Sequence, residues 1–198
     1  KRLIFVSLAS GAVVALWGLP SHFGYDPTCL LFRGHFDVSC WTEAFQPKIR
    51  IFSTLGQPDW LAAYLSILIP IAIVFFLKSI IKQSKTIKSF IPSIFYLLLS
   101  ALFYLDLLYT RARSGFIALW ISLIFFAGSF IWIYKNQFRE FLRSKNTKLG
   151  FLILTGIFVV ITFFTGSSIS QIDRLTFNSL KENLAKKQST NKNQTSFD

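Results

Sequence analysis

The sequence predicts an all-α, polytopic transmembrane helix bundle of about five spans, with one long outer loop between spans one and two. Three observations predict it. Hydrophobic residues make up 53% of the 198, and charged residues only 15%, where a soluble domain carries about 25%. Five apolar runs approach the roughly 20 residues that cross a hydrocarbon core. The basic residues collect in alternate loops between those runs, which is the pattern of membrane topology. The formal net charge of +12 would point to nucleic acid in a soluble protein. Distributed as it is here, it points to membrane lipids and to no nucleic-acid partner.

Each element follows from the chain in order. Span one is placed at 3–19, with Gly11 and Gly18 allowing close helix approach. Span two is placed at 60–77, with Pro70 in its middle, a residue that membrane helices tolerate at the cost of a kink. Spans three, four and five are placed at 90–109, 115–134 and 149–164. Residues 1–166 are thus read as the bundle, and 167–198 as a polar tail that begins a larger loop. In that tail Ile169, Ile172, Leu175, Leu180 and Leu184 form a partial helical stripe. Disorder is expected from Lys187 onward, where the composition is polar. There is no Met anywhere, so the chain is expected to be a piece of a longer protein. No small-residue cleavage site follows the first run, which argues against a signal peptide.

Orientation comes from the cations. Lys1 and Arg2 precede span one; Lys78, Lys82, Lys85 and Lys88 separate spans two and three. Lys135, Arg139, Arg143, Lys145 and Lys148 separate spans four and five, with Glu140 the one acid among them. The positive-inside rule puts all three segments in the cytoplasm. A multi-pass protein of the cytoplasmic membrane is expected, with its N-terminus inside. The loop 20–59, the turn 110–114 and the tail would then lie outside.

That assignment makes one short turn conspicuous. Between spans three and four stands Thr110-Arg111-Ala112-Arg113-Ser114, two arginines on the side disfavoured for cations. One reading is snorkelling into the headgroup layer. The other is an anion site, since the guanidinium fork matches phosphate oxygens and is weakly screened beside hydrocarbon. Asp106 shares a helix face with Arg113 if the helix continues through Thr110, and would then orient it. Arg50 is placed on the same side of the membrane as Arg113.

The loop 20–59 is too long for a simple connector. It holds both cysteines, Cys29 and Cys40, together with His22, His35, Asp26 and Asp37. A disulfide stands beside two free thiols as the alternatives. The Cys and His spacing fits no zinc-finger pattern, so no metal is expected. Asp59 is read as the N-cap of span two and Trp60 as an interface anchor.

Three motifs in series carry a resemblance. The run RIFSTLGQPDWLAAYL from Arg50 to Leu65 resembles the R-x-x-G-T-x-G-N-P-N-x-x-A-x-Y-L signature of the O-antigen ligase and polymerase family. The run TRARSGFIAL from Thr110 to Leu119 resembles that family's T-x-S-R-x-x-x-x-A-L, and WGLPSHFG from Trp17 to Gly24 is similar to its Y-G-x-x-Q-x-F-G. The resemblance implies a polytopic glycosyltransferase of the outer leaflet. Its donor would be a glycan on an undecaprenyl-pyrophosphate carrier, and its acceptor a lipid A core, a growing polysaccharide or a protein. No metal, nucleotide sugar or other cofactor is implied. It implies that Arg113 is the catalytic residue, and that Arg113 and Arg50 hold the pyrophosphate. Arg111, beside Arg113 in the same turn, joins them in substrate binding, with Asp106 in support.

The chain departs from the family pattern at Ala112, Gln57 and Asp59. An acid at Asp59 would repel phosphate, so it is expected to face away or to cap its helix. Neither His22 nor His35 matches the family's histidine on its larger loop, so this piece alone is expected to turn nothing over. Two other classes compete: an anion transporter or channel, which also wants Arg beside a water-filled path, and a structural membrane subunit with snorkelling arginines.

Overall fold

In the computed structural model, residues 2–43, 45–81, 90–133 and 145–166 are described. They form α1 (Arg2–His22), α2 (Pro27–Arg33), a 3-10 turn (Ser53–Leu55), α3 (Pro58–Ile81), α4 (Ile91–Tyr109), α5 (Arg113–Ile133) and α6 (Lys145–Thr165), with no strand among them. Four stretches are long and apolar enough to cross a membrane: Arg2–His22, Pro58–Ile81, Ile91–Tyr109 and Thr147–Thr165. The helix α5 contributes a shorter apolar stretch, Arg113–Ser129. Most of the basic loop residues, Lys82, Lys85, Lys88, Lys135, Arg139 and Arg143, lie outside the described residues. So do the tail 167–198 and its apolar stripe.

The helix ends differ from the apolar runs for local reasons. Pro20 does not end α1, which continues to His22; a proline disturbs mainly the turn before it, and Phe23 N–H still bonds to the Pro20 carbonyl at 3.0 Å. Pro58 opens α3, because its fixed φ suits the first helical position. Asp59 is therefore inside the first turn and is not the cap. Lys78 does not close α3, which runs to Ile81, lysine being a good helix former. The expected loop 20–59 becomes 23–57 and carries α2 and the 3-10 turn.

α3 is the central helix. Half of its apolar window is buried inside the bundle, against 22% for α1 and for α6. Leu61, Leu65, Ile69, Ala72 and Phe76 recur at helical spacing along its buried face. They share one core with Leu99, Phe103 and Leu107 of α4. Tyr104 of α4 stacks on Phe158 of α6 with centroids 4.1 Å apart, and its hydroxyl shares a 2.8 Å hydrogen bond with Thr162. Outside this core the side chains are also apolar: Val13, Ile67, Leu98, Ile124, Phe125 and Leu152 are all exposed. An apolar exterior of that extent is disfavoured in water and suited to lipid.

Small residues set the closest crossings. A Cβ added at Gly115 of α5 would run into Ala62 of α3, and Gly11 sits against Leu68 and Phe103. Such small-residue contacts let membrane helices approach closely. Gly115→Val is expected to destabilise the bundle by about 1–3 kcal/mol, the usual cost of overpacking. Gly128→Val, where nothing lies within 4 Å, is the matched control. Unfolding of the two variants in detergent micelles measures the difference.

Candidate functional site

α1 and α4 end, and α3 and α5 begin, at one end of the bundle, and the loop from Pro47 to Gln57 is folded into that end. Ile51 and Phe52 are buried. The Ser53 hydroxyl donates to the Val14 carbonyl at 2.6 Å, two helical turns before the end of α1. A Cβ at Gly18 would meet the Ser53 Cβ at 2.9 Å, so only glycine lets this segment in. Irregular backbone at such a depth is tolerated where protein covers it or where it lines a cavity.

The inserted segment is fastened to the α4–α5 turn. Ile51 N–H donates to the Tyr109 carbonyl at 3.2 Å. Arg50 Nε donates to the Thr110 carbonyl at 2.9 Å. Thr110 is fully buried and holds the turn from within: its hydroxyl donates to the Leu107 carbonyl at 2.7 Å and accepts from Ala112 N–H at 3.2 Å. Chain segments 60 residues apart thus meet, and the Arg50 guanidinium is seated on the turn that carries Arg111 and Arg113. Arg111 and Arg113 are both exposed there.

Backbone strain collects at the same place. Ser53 (φ 52°) and Arg111 (φ 51°) are the non-glycine residues with positive φ among those described. Arg111 closes α4 in the left-handed conformation usually given to glycine, with its N–H on the Leu108 carbonyl at 3.0 Å. A side chain kept at such a position costs of order 1 kcal/mol or more, and such residues cluster at functional sites.

Arg113 is the first residue of α5, and its side chain makes no hydrogen bond or ion pair among the described residues. The first helical bond of α5 is Phe116 N–H to the Ala112 carbonyl at 3.2 Å. The amides of residues 113–115 precede it and lack helix partners. A cation at the positive end of a helix dipole is unfavourable by itself, and favourable for an anion placed between them.

Two expectations are corrected. Asp106 does not orient Arg113. Its carboxyl is fully buried with both oxygens unpartnered, and Arg113 is exposed; the left-handed Arg111 breaks the helical register that would have brought them together. Asp59 neither faces away nor caps. Its carboxylate accepts from Arg50 Nη2 at 3.4 Å, with both side chains nearly half exposed. That pair uses one edge of the guanidinium and the Thr110 carbonyl another. The remaining N–H groups of Arg50 stay open to a ligand.

Three residues enter the site without a signal of their own. Thr110 belongs to the arginine motif, but its role as the dock for Arg50 needed the fold. His22, at the end of α1, stacks on Tyr109 with centroids 3.9 Å apart, and its buried Nδ1 has no partner. No local pattern pairs these two rings.

The outer part of the loop has a small core of its own. Cys29 and Cys40 are joined by a disulfide with Cα atoms 5.5 Å apart. Asp26 caps α2, accepting from Thr28 N–H at 2.8 Å, and also accepts from the Trp41 indole. Trp41 packs edge-on to Phe52 at 4.7 Å, which couples the disulfide region to the inserted segment. On the surface, Ser39 holds the Asp37 carboxyl below the usual carboxylate range, through its hydroxyl first and its amide second.

The site therefore brings the Arg50 guanidinium, paired with one exposed carboxylate, onto the turn that carries Arg111, Arg113 and a helix N-terminus, at the edge of an apolar bundle. No family model, no curated protein and no solved structure matches this chain.

Proposed function

We propose that this chain carries the donor-binding site of an integral-membrane glycosyltransferase of the O-antigen ligase kind. It would transfer a glycan from undecaprenyl pyrophosphate to a lipid A core, a growing polysaccharide or a protein. The observation that carries the reading is the 2.9 Å bond from Arg50 Nε to the Thr110 carbonyl, which joins the two arginine motifs at one end of the bundle. In this reading α5 is a fifth span, the N-terminus is cytoplasmic, and the Arg50–Arg113 end faces the outside of the inner membrane. The positive-inside distribution supports that orientation.

The chemistry asks little beyond charge. The acceptor hydroxyl oxygen bonds to the anomeric carbon, the bond from that carbon to the pyrophosphate oxygen breaks, and the hydroxyl proton passes to a base. The leaving group is a lipid pyrophosphate, whose growing charge is stabilised by donors fixed in advance. Arg50 is fixed by Thr110. Arg113 and the α5 amides add to it, and Arg111 stands beside them. No metal or other cofactor enters the scheme.

The test is donor binding by this chain, and transfer by a protein that carries it together with the family's larger histidine loop, in liposomes loaded with an undecaprenyl-pyrophosphate-linked glycan and an acceptor. Acceptor should gain glycan as undecaprenyl pyrophosphate is released, and added inorganic pyrophosphate should inhibit. Absence of both transfer and pyrophosphate-sensitive donor binding overturns the reading.

One observation favours a second reading, a proton-coupled anion carrier. The Asp106 carboxyl is buried and unpartnered in a membrane-length helix, and intramembrane acids often relay protons. Asp106→Asn keeps the shape and removes the ionisation. If the chain is a carrier, phosphate or pyrophosphate uptake into proteoliposomes collapses in this variant. If it is a transferase, glycan transfer stays near the wild-type rate.

A further inference from the structure

We propose that α2 is a lipid-inserted element, with Leu31 and Phe32 seated among acyl chains at the boundary of the hydrocarbon. The inference rests on the bundle being a membrane bundle and does not depend on its chemistry.

Depth is the first argument. α1 has 21 residues and is about 31 Å long at 1.5 Å per residue, which matches the roughly 30 Å of a hydrocarbon core. Its end at His22 therefore lies at the boundary. The chain then doubles back. Trp17 Nε1 donates to the Thr28 hydroxyl at 3.1 Å, and Trp17 precedes the end of α1 by more than a turn, about 7 Å. Helical side chains lean toward the N-terminus, so the indole does not rise above that level. α2 thus begins beside α1 inside the apolar slab.

Composition is the second argument. The inward face of α2 is closed: Cys29 is fully buried in its disulfide, and Asp26 is buried under the Trp41 indole. Its outward side chains are apolar and bare, Leu31 at 71% and Phe32 at 82% exposure. The neighbouring helix α1 has bare apolar residues of its own, Val13 and Leu16 among them. Part of the backbone is satisfied within the protein as well: Asp26 caps the first turn, and Gly34 N–H returns to the Leu30 carbonyl at 3.0 Å, while the last carbonyls of the helix are left to the headgroup layer at the boundary. Arg33, at the end of the helix, reaches the Ser39 carbonyl at 3.4 Å, keeping its head with the polar part of the loop in the manner of a snorkelling side chain.

The protein supplies a convenient probe. Both cysteines of the chain are in the disulfide, so an introduced cysteine is its single thiol. Phe32→Cys, Leu31→Cys, Ile67→Cys on the exposed face of α3 and Glu43→Cys in the loop are each spin-labelled in the full chain. The labelled proteins go into phosphatidylethanolamine and phosphatidylglycerol vesicles. Collision with oxygen is compared with collision with a polar nickel chelate. The proposal expects oxygen to dominate at 31 and 32 as it does at 67, with a ratio several-fold above that at 43. Nickel dominance at 31 and 32, with oxygen dominant at 67, overturns it and leaves the membrane bundle standing. Protection from both relaxants at 31 and 32 also overturns it, by showing that protein covers the patch. Nickel dominance at 67 overturns the membrane bundle and the proposal together.

Discussion

Arg50→Lys is expected to lower glycan transfer by a factor on the order of 10²–10³, the usual effect of losing one fixed donor at a developing anion. The charge survives the change, so the expected loss tests geometry. Arg50 Nε reaches the Thr110 carbonyl while Nη2 reaches Asp59, which leaves the far edge of the same planar group for phosphate. A lysine ammonium is a point charge with no such division of labour. The effect on the fold should be smaller. The Asp59 pair is exposed, and such pairs contribute about 0–1 kcal/mol. The bond to Thr110, donated by a charged group, contributes about 1.5–3 kcal/mol before its partial exposure is discounted. Transfer rates in proteoliposomes, read beside thermal unfolding, separate the two effects. A lysine variant that transfers at the wild-type rate removes the claim that the guanidinium fork matters.

Arg113→Ala is expected to abolish transfer with no loss of stability. The two halves of that prediction have different causes. Arg113 is exposed, and its side chain has no hydrogen bond or ion pair among the described residues, so the fold gains nothing from it. Its charge opposes the helix dipole at the start of α5, and alanine should stabilise that end by about 0.3–1 kcal/mol. A protein that keeps a mildly destabilising cation there is expected to use it on an anion. Snorkelling predicts the contrary for activity: an arginine that only reaches lipid headgroups can be removed with transfer and membrane insertion intact. Normal transfer by Arg113→Ala would therefore return this residue to the structural reading.

The sequence by itself determined the helical class and the positions of the long apolar helices to within a few residues. Apolar runs of spanning length have few other solutions, because in lipid the backbone must bond to itself. It also singled out Arg50, Arg111, Arg113 and the Cys29–Cys40 pair, since charge in a short turn and paired thiols in one loop are local signals. Only the tertiary structure decided how those residues are used. Arg50 reaches Thr110 across a separation of 60 residues, and no periodicity reports such a contact. Asp59 turned out to be the partner of Arg50, and Asp106 a buried acid without one. Both outcomes hang on backbone detail: a helix that starts at Pro58 and a left-handed Arg111. The inserted loop was equally hidden. Its depth is set by Gly18 lying opposite Ser53 and by one hydroxyl finding the Val14 carbonyl. Local sequence fixes which segments are helices, while the meeting of distant segments depends on side-chain shape and on where unpaired polar groups find partners, and those exist only in the folded chain.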